Sequence, residues 1–133
     1  MDEVIAPRLG AWYHSYVRII ARSTLCRFVN KRVDGRLRAS VKKHLDAWYA
    51  DVEKGSWKDP AELKAQFRSA SIVSGERVVF NVKGNDYRLV VAINDHYQIL
   101  LIIWLGTHKE YDKIDVAEVA YDKERYADSS HSN

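Results

Sequence analysis

The sequence predicts an α+β domain in which helices come first and a sheet follows. Between residues 36 and 54, apolar side chains recur at intervals of three and four positions, which is the spacing of one helix face. Between residues 77 and 105, apolar and polar residues first alternate and then give way to a continuous apolar run, a pattern typical of strands. The 133 residues, 47% of them apolar, suffice for one domain with its own core.

The domain is expected to begin at Val17. Residues 1–16 show no firm periodicity, so we interpret them as an N-terminal extension that precedes the domain. The aromatic side chains of this extension that are candidates to pack back onto the core are Trp12, Tyr13 and Tyr16.

A short strand and a first helix are predicted next. Residues 17–21 form a β-rich run, and either Ser23 or Thr24 is expected to cap the helix that follows. The helix should be interrupted near Asp34 and Gly35, because this pair favours a turn.

A longer second helix is predicted from Arg36 to about Lys54, with Gly55 as a natural stop after it. Its apolar stripe is expected in the core and comprises Leu37, Val41, Leu45, Trp48 and Val52. Asp59 is then expected to cap a short third helix that has Pro60 in its first turn. The apolar edge of this third helix consists of Leu63 and Phe67.

Alternation after residue 76 predicts a β-hairpin with Gly84 and Asn85 in its turn. The pairs expected on one face are Val82 with Tyr87, Phe80 with Leu89 and Val78 with Val91. The opposite face then carries the polar side chains of Arg77, Asn81, Lys83 and Arg88. A third strand, residues 97–105, is apolar on both faces apart from Gln98 and is therefore expected at the centre of the sheet.

The folded domain is expected to end near Val119, so that it spans residues 17–119. Residues 120–133 are polar and finish in Asp-Ser-Ser-His-Ser-Asn. We interpret them as a polar C-terminal tail whose last residues are disordered.

Charge is unevenly distributed along the chain. Residues 17–68 contain thirteen Lys or Arg and six Asp or Glu, whereas the whole chain has a net charge of +3. A basic helical region attracts polyanions such as RNA, and Arg38, Lys42 and Lys43 on the second helix are candidates for that contact. The simpler interpretation is that each of these side chains belongs to a solvated helix face.

Several classes of protein lack support in this sequence. The longest apolar run, residues 99–105, is too short to cross a membrane, and the first residues do not have the pattern of a secretory signal. The single cysteine, Cys26, cannot form an internal disulfide, is expected to pack as a small apolar residue, and fits a reducing cytoplasm. No phosphate-binding glycine loop, metal-type spacing or nucleophile motif is present, so neither a metal nor another cofactor is predicted.

A polar cluster after the third strand is the strongest candidate for chemistry. Residues 106–113, Gly-Thr-His-Lys-Glu-Tyr-Asp-Lys, follow the buried strand and are expected beside the polar face of the hairpin. Ribonuclease cleavage by the neighbouring 2′-hydroxyl needs a proton acceptor, a proton donor and cations that stabilise the crowded phosphorane. The side chains that can supply these roles are His108, Tyr111, Arg88 and Lys83.

Each of these side chains also has a purely structural interpretation. A histidine at a strand end, such as His108, is commonly a surface or capping residue, and Tyr111 fits a core position under the tail. Arg88 is harder to explain, because a charge within an apolar strand requires an anionic partner, either Asp112 or a ligand. The remaining histidines, His14, His44 and His96, are expected at the surface or in turns.

Four segments of the chain resemble the HigB type of the RelE superfamily, the ribonuclease half of a bacterial toxin–antitoxin pair. They are IIARSTL (19–25), AWYADVEKGSWKDPAELKAQFRSA (47–70), RVVFNVKGNDYRLVVAIN (77–94) and GTHKEYDKIDV (106–116). The order and spacing of these segments carry the resemblance, which extends over residues 17–116. Toxins of this type begin close to the equivalent of Val17, so the extension departs from the family pattern.

The resemblance implies a RelE-like microbial ribonuclease fold with a mostly antiparallel sheet packed against two N-terminal helices. It also implies ribosome-dependent cleavage of mRNA and neutralisation by a cognate HigA-like helix-turn-helix antitoxin. The toxin would bind operator DNA only through this antitoxin. The catalytic residues it implies are His108, Arg88, Lys83, Tyr111 and Lys113. Candidates to contact RNA are Arg77 and Asn81 on the hairpin, together with the three basic residues of the second helix.

Two other classes of function remain open at this point. The chain could be a non-catalytic RNA- or ribosome-binding module, or an inactive toxin homologue that only binds an antitoxin. It could also be a protein-binding module whose basic helices contact an acidic partner. Only the ribonuclease requires the proton chemistry of His108.

Overall fold

The computed structural model describes residues 17–126, and the expectations for residues 1–16 and for the last residues lie outside this range. Within it the chain is α+β, with four α-helices and one mixed five-stranded sheet. The elements are β1 (Arg18–Ile20), α1 (Arg22–Arg32), α2 (Arg38–Glu53), α3 (Pro60–Gln66), β2 (Ala70–Ile72), β3 (Arg77–Val82), β4 (Tyr87–Asn94), β5 (Ile99–Thr107) and α4 (His108–Tyr111), followed by a 3₁₀ turn (Lys123–Tyr126). None of these helices is long and apolar enough to cross a membrane.

Helix α1 begins earlier than expected, because the chain passes from β1 into the helix through Ala21 alone. Ala21 occupies the N-cap position and has no side chain that can cap, so the prediction of Ser23 or Thr24 as the cap is wrong. Thr24 lies within the first turn and is buried, and its N–H donates to the Ala21 carbonyl at 3.0 Å. Cys26 is exposed, so the prediction that it packs as an apolar residue is also wrong.

Helix α2 buries four of the five residues in the predicted stripe, namely Val41, Leu45, Trp48 and Val52. The prediction for Leu37 is wrong, because this residue is the N-cap of α2 and its side chain is 43% exposed. The turn before the helix includes a hydrogen bond from the Leu37 N–H to the Asp34 carbonyl at 2.8 Å.

Helix α3 confirms the prediction from its capping residues. The Asp59 carboxylate accepts a hydrogen bond from the Glu62 N–H at 2.9 Å, and Pro60 lies in the first turn, where its missing N–H costs nothing. Leu63 is fully buried, and Phe67 packs edge-on against Phe80 with ring centres 5.9 Å apart.

The strand order is β1-β5-β4-β3-β2, with β1 parallel to β5 and every other pair antiparallel. The hairpin register is as predicted, with Val82 opposite Tyr87, Phe80 opposite Leu89 and Val78 opposite Val91. Strand β5 has a neighbour on each side, as its doubly apolar pattern predicts. It begins at Ile99 rather than at Tyr97, because Tyr97 is exposed and Gln98 adopts a positive φ in the preceding turn.

The larger core lies between one face of the sheet and the helices. Trp48 of α2 packs edge-on against Phe80 of β3 with ring centres 5.3 Å apart, and Phe28 of α1 packs in the same way on Tyr87 of β4 at 5.8 Å. Tyr126 belongs to this core and is only 1% exposed, and its hydroxyl oxygen accepts a hydrogen bond from the Leu105 N–H at 3.0 Å. The larger core thus includes a residue as far along the chain as Tyr126.

A smaller apolar cluster covers the other face of the sheet. Val79, Val90, Ile103 and Trp104 form its buried centre. The chain after β5 returns over these residues and contributes the partly buried side chains of Tyr111, Ile114, Val116 and Val119. The hairpin face that alternation predicts to be polar is thus partly covered by residues 111–119.

Candidate functional site

The sequence Gly-Thr-His-Lys-Glu-Tyr turns β5 directly into α4 by means of a capping box. The Thr107 hydroxyl oxygen accepts from the Glu110 N–H at 3.1 Å, and the Glu110 carboxylate accepts from the Thr107 N–H at 2.9 Å. The capping box fixes the direction in which the chain leaves the sheet, so His108 lies immediately after the strand, at the edge where the β3–β4 turn also ends.

The turn between β3 and β4 is attached to the first residue of α4. The Asp86 N–H donates to the Lys83 carbonyl at 3.1 Å, which closes the turn, and the Asp86 carbonyl accepts from the His108 N–H at 3.0 Å. Lys83 and Gly84 both have positive φ, so Lys83 does not continue the alternation of β3. Its ammonium lies 3.3 Å from the Asp86 carboxylate. The structure thus brings Lys83 and His108 to one edge, through Asp86.

Arg88 is half-buried at the start of β4, directly opposite Asn81 of β3. Its Nη1 donates to the carbonyls of Asn85 at 3.0 Å and of Tyr87 at 3.3 Å, and its Cζ lies 5.9 Å from the centre of the Tyr111 ring. Among the described residues, no carboxylate lies within 4.0 Å of its guanidinium group. The charge of Arg88 is therefore held by carbonyls and a ring, without a counterion from residues 17–126.

Asp112, the alternative partner expected for Arg88, instead faces His108. Its carboxylate lies 3.7 Å from His108 Nε2, an ion pair only when the imidazole is protonated. The His108 side chain is 53% exposed, so a ligand at this edge has access to the ring. Lys113 follows one residue later with an exposed side chain, and its N–H donates to the Glu110 carbonyl at 3.1 Å.

Tyr111 connects this edge to the smaller apolar cluster. Its ring is partly buried and lies 6.3 Å from the Trp104 ring, measured between ring centres. The structural interpretation of Tyr111 is therefore correct in part, since one side of the ring packs on the cluster while Arg88 lies over the ring.

Arg77 lies away from this group. It is four residues before Asn81 on β3, which corresponds to about 13 Å along a strand. Its Nη1 donates to the carbonyls of Val116 at 3.1 Å and Val119 at 2.6 Å. The guanidinium group thus holds the returning chain against the sheet.

The basic residues of α2 form a separate surface on the helical side of the domain. Arg38 donates from Nε to the Val33 carbonyl at 3.0 Å, and Lys42 pairs with Asp46 at 2.7 Å. Lys43, like both of these residues, is exposed. His44 and His96 are at the surface, as predicted.

Three charged residues next to the candidate site are absent from the sequence-based set. Glu110 accepts hydrogen bonds from Arg32 of α1 at 3.2 Å and from Arg125 of the 3₁₀ turn at 3.3 Å. Burial raises the pKa of Glu110, but the Thr107 N–H and the two guanidinium groups outweigh burial and hold this pKa below its ordinary value. The Thr-x-x-Glu spacing of the capping box is a sequence signal for Glu110, whereas no pattern points to Arg32 or Arg125.

Metal-ligating side chains do not cluster in the described part of the chain. Across residues 17–126, no group of three or more His, Cys, Asp or Glu residues is arranged to hold a metal ion.

Comparison with known proteins gives a family for this arrangement. The family model described as HigB_toxin, RelE-like toxic component of a toxin-antitoxin system, matches residues 41–114, which include the β3–β4 turn and α4. Proteins from Escherichia coli K12 (mRNA interferase toxin HigB), Escherichia coli O157:H7 and Shigella flexneri (both mRNA interferase HigB) are each 40% identical to the chain over 63 residues. The aligned segment covers 46% of this chain and 61% of each relative. Because the family model matches more than half of the residues of this chain, the chain belongs to the HigB family of RelE-like toxins.

Proposed function

We propose that this chain is the toxin of a toxin–antitoxin pair and that it inhibits translation by cleaving mRNA. Its relatives are named as mRNA interferases, and the observation that carries the proposal is the guanidinium group of Arg88. A half-buried cation without a carboxylate partner in residues 17–126 is suited to a phosphate, and Lys83 and His108 flank the same edge.

Cleavage in this proposal is an internal transfer of phosphorus. The ribose 2′-oxygen attacks the adjacent phosphorus as its proton is taken up, and the bond from phosphorus to the 5′-oxygen breaks as that oxygen receives a proton. The products are a 2′,3′-cyclic phosphate and a 5′-hydroxyl. His108 and Tyr111 serve the two proton transfers, and Arg88, Lys83 and Lys113 stabilise the negative charge of the phosphorane. This sequence of bond changes requires neither a metal nor another cofactor.

The substrate in this proposal is mRNA bound to the ribosome in the cytoplasm. The basic surface of α2, with Arg38, Lys42 and Lys43, would contact ribosomal RNA, while Asn81 would contact the mRNA beside Arg88. We assign Arg77 to the support of the returning chain instead, because two carbonyls already occupy its Nη1. In a RelE-like arrangement, with the sheet packed on two helices, the α4 edge would be free for the substrate.

The partner that neutralises the toxin in this proposal is a HigA-like antitoxin with a helix-turn-helix domain. The toxin would reach operator DNA only through this antitoxin. Family membership supports an antitoxin partner, and the proposal extends this to the HigA type.

A non-catalytic binder is the second candidate, and the exposure of His108 favours it. A ring that is 53% exposed and 3.7 Å from its nearest carboxylate is held loosely, whereas Arg88 can bind a phosphate without any proton transfer. Loss of His108 would leave the function of such a binder unchanged.

The decisive experiment incubates the purified chain with ribosomes programmed with a defined mRNA and maps the new 5′ ends. A 5′-hydroxyl and a 2′,3′-cyclic or 3′-phosphate end are expected, with no loss of cleavage when a chelator removes transition metals at constant magnesium. Ends bearing a 3′-hydroxyl would contradict the 2′-hydroxyl mechanism, because they indicate a metal-activated water. Ribosome binding without new ends would support the non-catalytic binder.

A further inference from the structure

Helix α4 contains only four residues, His108–Tyr111, and so cannot be stable through its own backbone hydrogen bonds. It carries two of the proposed reacting side chains, His108 and Tyr111. Contacts from other elements must therefore determine where these two side chains lie.

Arg125 supplies a contact of this kind from a distant part of the sequence. Its Nη2 donates to the Leu105 carbonyl at 3.0 Å and to the Glu110 carboxylate at 3.3 Å, so one guanidinium group joins the end of β5 to α4. Its Cζ lies 4.8 Å from the centre of the Trp104 ring. The side chain is only 16% exposed, and Tyr126, the next residue, is fixed in the larger core.

The same side chain is also linked to Tyr111 through Trp104. Trp104 contacts both the Arg125 guanidinium group and the Tyr111 ring, and Arg88 lies over the Tyr111 ring. Gly106 allows this arrangement, because a Cβ at that position would collide with the Trp104 ring and lie 2.7 Å from Arg125 Nη2. Arg125 thus contacts α4 by two routes, directly through the Glu110 carboxylate and indirectly through the Trp104 ring, which packs at a tilt against Tyr111.

We propose that Arg125 is a positioning residue for the ribonuclease, acting through Glu110 and Trp104 to hold α4 in its reactive place. This inference rests on the proposed function. It assigns a role to a residue outside the family match, which ends at residue 114, and within the stretch that sequence alone interprets as a tail. Arg125 has no contact with substrate in this account, so its loss should affect the reacting geometry and leave RNA affinity unchanged.

The first test compares Arg125→Gln with Arg36→Gln, a matched control that removes an exposed arginine paired with Asp34. On programmed ribosomes, kcat of Arg125→Gln should fall on the order of 10²-fold with KM unchanged, because small misplacements of reacting groups have effects of this size. Arg36→Gln should match the wild type. An Arg125→Gln protein whose kcat equals that of the control would overturn the proposal, and so would a variant that loses only affinity.

The second test is independent of RNA. Hydrogen exchange should be about tenfold faster in Arg125→Gln at the amides of Asp112 and Lys113, which donate to carbonyls of α4, while core strands keep their protection. If the wild type cleaves no RNA, the proposed function fails, but this measurement still shows whether Arg125 holds α4. Unchanged exchange at both amides would contradict the structural basis of the proposal.

A coupling measurement identifies the route of the effect. Glu110→Gln keeps an oxygen for the Thr107 N–H but loses the charge that faces Arg125, so it should reduce kcat by itself. Arg125→Gln should then reduce kcat by a smaller factor in the Glu110→Gln background than in the wild-type background, because the two residues interact. Fully multiplicative effects would exclude Glu110 as the route. Arg125→Lys, which keeps the positive charge, replaces the glutamine variant if the latter does not fold.

Discussion

Arg88 carries a positive charge that no carboxylate within residues 17–126 neutralises. A charged side chain inside an apolar strand requires compensation, and the expected carboxylate, Asp112, faces His108 instead. Carbonyls and the Tyr111 ring orient the guanidinium group without neutralising it. The group is thus prepared for an anion that arrives from outside the described residues.

Removal of His108 or Arg88 should abolish most of the RNA cleavage while the protein remains folded. We expect His108→Ala to lower the cleavage rate by about 10²–10⁴-fold, the usual contribution of one general acid or base. Arg88→Ala should have an effect in the same direction through lost charge stabilisation. The rates are measured on programmed ribosomes, with folding checked by circular dichroism.

His96→Ala is the matched control for the histidine, since His96 is also exposed but packs beside Tyr97 in a distant turn. Its rate should equal that of the wild type. A folded His108→Ala protein that cleaves at the wild-type rate would eliminate His108 from the mechanism.

Glu110 gives a pH dependence whose sign follows from its lowered pKa. The carboxylate is ionised and paired in the folded state, so its pKa is lower there than in the unfolded chain. The stability it contributes is complete above the unfolded pKa, for which 4.5 is the reference value, and is lost as the pH falls through the folded pKa. Urea unfolding from pH 7 to pH 3 should therefore show wild type more stable than Glu110→Gln at neutral pH, with the difference disappearing in acid. A difference that grows in acid would contradict this assignment.

At the scale of elements, the chain after β5 is the part that sequence describes least well. Residues 111–119 cover one face of the sheet, and Tyr126 enters the core on the other side. This segment therefore contributes to both apolar clusters, although its sequence has no strand or helix periodicity that would predict it.

Tyr126→Phe should measure how firmly this segment is attached. The ring would still fill the core, but the buried Leu105 N–H would lose the hydroxyl oxygen that accepts its hydrogen bond. Leaving a buried donor unsatisfied costs about 1–3 kcal/mol. We expect a decrease of this size in the free energy of unfolding, measured with urea, whereas Tyr121→Phe, at an exposed tyrosine, should have little effect. Equal stability of Tyr126→Phe and wild type would show that the hydrogen bond contributes nothing.

The success of the sequence-based predictions depended on whether a signal was local. The β3–β4 register and the Asp59 cap were predictable, because alternation and capping chemistry involve residues close together in sequence. The sequence could suggest that Lys83 and His108 lie near one another, but it could not predict the hydrogen bonds through Asp86 that connect them. The bond from the His108 N–H to the Asp86 carbonyl joins residues that are far apart in the sequence. The contact of Arg125 with Trp104 could not be predicted, because nothing in the sequence near residue 125 indicates it.

Leu37 and Cys26 are two positions at which the local sequence predicts burial but the side chain is exposed. Leu37 continues the apolar spacing of α2, but the turn at Asp34 starts the helix later and leaves this side chain outside. Cys26 is apolar enough for a core position, yet its side chain is exposed at the cleft between α1 and α2. In both cases the helix boundary or the orientation of the helix decided burial.

On the scale of the whole molecule, the proposed docking surface and the candidate site lie on different elements. The basic residues of α2 are on the helical side of the domain, whereas the candidate site lies at the edge formed by the β3–β4 turn and α4. Long-range attraction to ribosomal RNA can therefore be altered without changing any proposed reacting group.

Neutralising Arg38, Lys42 and Lys43 together with glutamine should weaken ribosome binding and reduce its dependence on salt, because fewer phosphate counterions are released. Glutamine is preferable to glutamate at residue 42, since a carboxylate there would repel Asp46 one turn away. The control replaces three exposed cations around α3, namely Lys58, Lys64 and Arg68, and so changes the net charge equally. Equal salt dependence in the two triple variants would show that α2 is not the docking surface.

The parallel pairing of β1 with β5 joins two parts of the chain that are made at very different times. Arg18 pairs with Ile99, so the first strand leaves the ribosome long before its partner exists. Arg125 and Tyr126, which contact Glu110 and Leu105, are made later still. Strand β1 consequently has no parallel partner until the chain has been made as far as β5, so the five-stranded sheet can be completed only after most of the described chain exists.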